Sequence, residues 1–217
     1  MSIEPAAAQV DNPAEALARK AYANFVPRER NLSRHEIKTL LDGLEKTGTA
    51  PTLRLAVRFM LLTGVRKSEF IGATWSEVDW ERGQWSIPAE RMKAGKPHTV
   101  YLAEQALDIL TTLRTCFPSS KYVHPSRYDS AEPLSQATLN RTIAAAVDRV
   151  NEDRKPDQEP FLPVSVHDLR RTFSSRLNDA LFPEALVEAC LAHQKKDQVA
   201  AAYNHARLSG PRRVLKK

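Results

Sequence analysis

Glycine and cysteine are both scarce, with seven Gly and two Cys in 217 residues. So few glycines exclude a glycine-rich linker protein, and two cysteines exclude a disulfide framework. Neither Cys116 nor Cys190 belongs to a CxxC pair, which argues against a zinc module. Both fall in apolar helical patterns and are expected to be core residues, since a free cysteine behaves as a small hydrophobe. Long hydrophobic runs are also missing. Runs such as Phe59 to Leu62 are far short of the roughly 20 residues that span a bilayer. The opening Met1-Ser2-Ile3-Glu4-Pro5 has neither the basic start nor the apolar block of a secretory signal. The expectation is a soluble, cytoplasmic chain with no membrane partner. A hydrophobic content of 42% excludes global disorder, and the length suits one domain, or one domain plus a tail.

What the chain does have is positive charge, +6 overall. Residues 1–19 carry three acids (Glu4, Asp11, Glu15) and one base (Arg19), so the remaining 198 residues carry +8. A basic balance favours a polyanionic partner, nucleic acid first.

Residues 1–30, Ala-rich and Pro-dotted, read as a linker or disordered tail, and residues 31–217 as one domain. Ser33 and Glu36 have the spacing of a capping box. Behind them Ile37, Leu40, Leu41 and Leu44 recur at helix spacing, and Gly43 or Gly48 can close that helix. A helix over about 53–62 is apolar nearly all round and therefore central; it stops at Gly64, and a short helix begins near Ser68. The period then changes. Val78 to Trp80 and Gln84 to Ile87 flank a turn at Gly83, and Ala94 to Pro97 forms a second turn before a strand at His98 to Leu102. Helices resume at about 103–117, 136–150, 167–180, 184–192 and 198–207, with a surface loop over 151–159. The fold class expected is α+β, mainly helical, with one small three-stranded antiparallel sheet.

Four segments hold side chains suited to chemistry on an anion. In His167-Asp168-Leu169-Arg170-Arg171, His167 and Arg170 are three apart and share one helix face, while Leu169, Phe173 and Leu177 mark the buried one. An imidazole beside a guanidinium fork suits an anionic oxygen, phosphate above all, although the pair alone better fits a helix start with ordinary surface charges. Arg66 lies in the break between two helices, where Glu69 can cap the second helix or hold the Arg. Lys93 occupies the turn between strands. His193 closes Leu191-Ala192-His193, and Tyr203 follows three alanines. The chain holds no carboxylate cluster for two metals and no GxxxxGK[ST] for nucleotides, so no metal or cofactor is expected.

Taken together, the segments Thr63 to Glu69, His167 to Phe173, and Leu191-Ala192-His193 followed by Tyr203 resemble the tyrosine recombinase (phage integrase) family, over roughly residues 31–210. Ala200 to Ala206 is most similar to integrases of satellite phages and genomic islands. Members carry N-terminal DNA-binding domains before the catalytic domain, whereas only about 30 linker-like residues stand there in this chain, as in an excised domain or a natural truncation.

The resemblance implies a site-specific recombinase catalytic-domain fold acting on double-stranded DNA, monomeric in free solution and tetrameric on DNA. Arg66 and Arg170 would hold the non-bridging oxygens of a phosphodiester. Tyr203 would attack, His167 would serve as base, His193 would donate a hydrogen bond, and Lys93 would protonate the leaving 5′ oxygen. The product would be a 3′-phosphotyrosyl link made without metal. A type IB topoisomerase uses a similar residue set to nick and reseal one duplex. A DNA-binding regulator has the same basic character with no need for Tyr203.

Overall fold

The computed structural model describes residues 30–192. The first helix, α1 (Arg34–Glu45), starts where the Ser33 hydroxyl accepts from the Glu36 N–H (3.2 Å) and the Glu36 carboxylate accepts from the Ser33 N–H (2.9 Å). Leu40 and Leu44 are buried. Neither glycine ends this helix. It runs to Glu45, and the Lys46 N–H closes it by donating to the Gly43 and Leu44 carbonyls. Gly43 serves packing instead: a Cβ there would lie 2.4 Å from Val150 Cγ2 and 2.9 Å from the Ala146 carbonyl. The absent side chain lets α5 (Thr138–Glu152) cross close to α1.

Helix α2 (Pro51–Thr63) begins on a proline, whose missing N–H costs nothing in a first turn, and ends at Gly64 with φ +64°. It packs against α1, α4 (Glu104–Cys116), α5 and α6 (Val166–Asp179), the central place that its apolar circumference demands. The short α3 (Lys67–Ile71) follows, then β1 (Val78–Asp79), β2 (Gln84–Ile87) and β3 (His98–Tyr101). The sheet is antiparallel in the order β1-β2-β3, with Val78 opposite Trp85, Trp85 opposite Val100, and Ile87 opposite His98. Trp85 and Ile87 alternate inward, and the Trp85 ring lies 5.9 Å from that of Phe59 on α2. Helix α7 (Glu184–Cys190) ends the described chain. The architecture is thus α+β, mainly helical, with the small sheet expected.

Ahead of α1, buried Leu32 donates its N–H to Thr172 Oγ1 on α6 (2.9 Å). The linker expected over residues 1–30 falls outside the described residues except at Arg30, whose guanidinium pairs with Glu36 (3.0 Å). The helix expected over 198–207 lies wholly outside them.

The cysteine expectation needs correcting. Cys116 is exposed. It stands one turn beyond buried Leu113, among the exposed residues of the last helical turn, while the C-cap Phe117 packs partly buried against the core. Cys190 is half-buried beside Phe173, Val187 and Leu191, and burial pushes its thiol up to about 11.

Candidate active site where two helix starts converge

The break after α2 places the first cation. Arg66 is the N-cap of α3, and Glu69, three residues on, accepts both its backbone N–H (2.8 Å) and its Nη1 (2.7 Å). Glu69 therefore caps the helix and holds the arginine at once. Its side chain is only 2% exposed, a burial that a carboxylate tolerates because a cation is paired to it. The next residue, Lys67, donates to the Gln136 carbonyl (3.1 Å).

The second helix start is built the same way. Ser165 and Asp168 form a capping box, with the Ser165 N–H donating to Asp168 Oδ2 (2.8 Å). Asp168 is buried, as are Val166, Leu169 and Phe173, so the register of α6 is fixed, with His167 exposed one turn before Arg170, which sits on the buried side. Arg170 is itself 6% exposed. Its Nη1 donates to the Gly64 carbonyl (2.6 Å) and its Nη2 to the Leu191 carbonyl. Burial first, and then the charge of Arg66, lowers it to about 10, so it stays cationic at neutral pH. Five N–H donors make a guanidinium, and two carbonyl bonds leave donors over for a ligand. Gly64 has two tasks here. In its left-handed conformation it turns its carbonyl toward Arg170, and a Cβ on it would lie 2.4 Å from Phe173 Cδ1.

Arg66, His167 and Arg170 line one open cleft of about 390 Å³, together with Ser68, Asn140 and Ser165. Among the residues that line the cleft, Arg66, Lys67 and Arg170 are cationic and none is a carboxylate, which gives the lining an excess of positive charge. The His167 imidazole is held below its usual range by burial and by Arg171, Arg170 and Arg66, against the pull of Asp168. A neutral imidazole beside two cations can accept a proton from a group that those cations bring in.

Lys93 is exposed on the turn before β3 and does not line this cleft. His193 and Tyr203 lie outside the described residues. Two residues with no signal in the sequence stand behind the site. Arg91, from a single 3-10 turn after β2, donates to the Glu77 carboxylate and to the Glu69 carbonyl, which ties the base of the Lys93 turn to α3. Glu77 also accepts from Trp85 Nε1 (2.9 Å). His98, the first residue of β3, is held below its usual range by burial above all, with the charges of Arg170 and Arg66 acting against that of Glu69. In sequence His98 reads as strand and Arg91 as one more basic residue, because their partners come from remote elements.

Among known proteins, the chain is 31% identical over 192 residues to prophage integrase IntA of Escherichia coli (strain K12), covering 87% of this chain and 44% of that protein. It is 30% identical over 165 residues to the integrase of Enterobacteria phage P4, covering 70% and 35%. The chain thus spans less than half the length of either relative. Its fold superposes on a lambda integrase tetramer bound to a Holliday junction with a TM-score of 0.60 at 19% identity, covering 85% of this chain and 56% of that one. The profile of the phage integrase family matches residues 30–209, which include both helix starts that shape the cleft. The chain belongs to the phage integrase family.

Proposed function

We propose that this chain cleaves and rejoins double-stranded DNA as a site-specific recombinase, through a 3′-phosphotyrosyl intermediate at Tyr203. The observation that carries the proposal is the opening of Arg66, Arg170 and a neutral His167 onto one cleft. Arg66 and Arg170 neutralise the non-bridging oxygens as charge builds in the transition state, and groups of this kind are worth about 3–4 kcal/mol each. They supply the positive charge that a metal ion supplies in other phosphoryl-transfer sites, so the reaction proceeds without metal. His167 takes the phenolic proton from Tyr203, whose free pKa near ~10 requires such help. His193 donates to the phosphate, and Lys93 protonates the departing 5′ oxygen. Glu69 keeps Arg66 in place. Residues 31–217 form the catalytic domain and 1–30 its linker. The chain acts in the cytoplasm as a monomer that assembles into tetramers on DNA, in line with the lambda integrase tetramer on a Holliday junction.

The test is a suicide duplex, nicked so that the short 5′-OH fragment diffuses away after cleavage, read on a denaturing gel. Tyr203→Phe removes one oxygen, so DNA affinity survives while the covalent band vanishes. An undiminished band from Tyr203→Phe refutes the mechanism. Relaxation of supercoiled plasmid without strand exchange would instead identify a nicking–closing enzyme.

A further inference from the structure

We propose that Arg91 is a positioning residue that sets Arg66 in the cleft, acting through Glu69. This rests on the functional reading above and assigns a further residue to it.

The links are hydrogen bonds. Helix α3 has five residues, far too few to be stable alone, so its ends are fixed from outside the helix. At its start the Glu69 carboxylate accepts from the Arg66 N–H and from Arg66 Nη1 (2.8 and 2.7 Å). The same residue is fixed again at its carbonyl. The Ala73 N–H, which would close a longer helix on Glu69, donates to the Phe70 carbonyl instead (3.0 Å). The Glu69 carbonyl accepts from Arg91 Nη2 in its place. Glu69 is thus held by its backbone while its side chain holds Arg66.

Arg91 is in turn fixed by the sheet. Its Nη1 donates to the Glu77 carboxylate, which also accepts from Trp85 Nε1 (2.9 Å) and the Thr74 N–H (3.4 Å). Trp85 is a buried residue of β2. The guanidinium also lies against Gly72, where a Cβ would stand 3.1 Å from Nε and Nη2 and 3.3 Å from Cζ. Trp85, Glu77, Arg91, Glu69 and Arg66 therefore form one relay from the sheet to the cleft. Glu77 matches the charge of Arg91, which leaves the Glu69 carboxylate to Arg66. Arg91 does not line the cleft, so it acts by placing Arg66 rather than on the phosphate. It stands two residues before Lys93, which raises the alternative that it acts through Lys93.

Three suicide duplexes separate these routes, with strand cleavage of each read relative to the wild type. The first carries the ordinary phosphodiester. The second carries a methylphosphonate at the scissile position. That linkage is uncharged, so it needs one guanidinium fewer and restores Arg66→Ala. The third carries sulfur in place of the leaving 5′ oxygen; a thiolate leaves unprotonated, so this substrate bypasses Lys93. For Arg91→Ala we expect phosphodiester cleavage to fall at least tenfold and the loss to shrink below threefold on the methylphosphonate. The sulfur duplex should give no relief. Arg91→Lys keeps the charge, but one ammonium cannot serve both partners. It should show the same pattern at smaller size, a comparison that stands even if Arg91→Ala fails to fold. Wild-type cleavage by either variant, an equal loss on all three duplexes, or relief by sulfur overturns the proposal. Absence of any Tyr203-dependent cleavage by the wild type overturns the functional reading instead. Hydrogen exchange of the Phe70 and Gly72 amides, measured without DNA, then decides whether Arg91 holds α3. It should quicken at least threefold in Arg91→Lys, and unchanged exchange overturns the proposal.

Discussion

Adding one methyl group at Gly64 tests how the site is framed. The residue has φ +64°, where an alanine is disfavoured by about 1–2 kcal/mol. The new Cβ would also stand 2.4 Å from Phe173 Cδ1, 2.8 Å from Cγ and 3.0 Å from Cε1. Reaching ordinary contact requires the ring to withdraw by about 1 Å, but Phe173 is 7% exposed and packed against Val187 and Leu191. Overpacking of this kind costs about 1–3 kcal/mol, so Gly64→Ala should lose about 2–5 kcal/mol in denaturant unfolding. Gly95→Ala is the control. It has nearly the same backbone, φ +63°, with nothing within 4 Å of a new Cβ, so it should lose the backbone part alone. Because the Gly64 carbonyl holds Arg170, cleavage should fall further than stability accounts for, on the order of 100-fold for a displacement near ~1 Å. A Gly64→Ala protein no less stable than Gly95→Ala would refute the packing argument. Normal cleavage by a destabilised Gly64→Ala protein would refute the coupling to Arg170.

Arg91→Ala should cost about 2–3 kcal/mol in urea unfolding, since it strips a cation from the half-buried Glu77 and a donor from the Glu69 carbonyl. Arg91→Lys should recover only part of this, because one ammonium cannot span both partners, and full recovery would refute the bridging role. Stability should also fall as pH drops below about 6.5. His98, His124 and His167 are each held below their usual value, by burial foremost. The unfolded chain therefore binds protons first, and each histidine contributes at most about 1.4 kcal/mol per pH unit. Glu45, held low by hydrogen bonds from Arg58 and Arg54, adds its loss only below about 4.5. Chemical denaturation at pH 7.5 and 5.5 checks this, and equal midpoints would refute it.

Elements set by neighbouring residues were legible in the sequence. Ser33 with Glu36 announces α1, Gly64 ends α2, and the change of period after Val78 announces the sheet, because caps, turns and alternation are local physics. The placing of His167 one turn before Arg170 follows from a three-residue spacing. What depended on distant partners was not legible. Gly43 reads as a helix stop, yet Val150 across the interface decides its use. Cys116 continues an apolar stripe into the exposed last turn of its helix. Arg91 acquires its task only when the turn after β2 meets α3.

The close crossing of α1 and α5 has a consequence for how the chain is made. The Lys46–Asp153 ion pair at that contact joins residues 107 apart in sequence. At a ribosomal rate of about 5–20 residues per second, α1 emerges about 5–20 s before the helix that covers it. For that interval Leu40 and Leu44 have no α5 to bury them, and a nascent chain in this state is a substrate for holding chaperones. Larger residues at Gly43 would delay the docking itself, so variants there should accumulate as aggregates during synthesis even when the finished fold survives them.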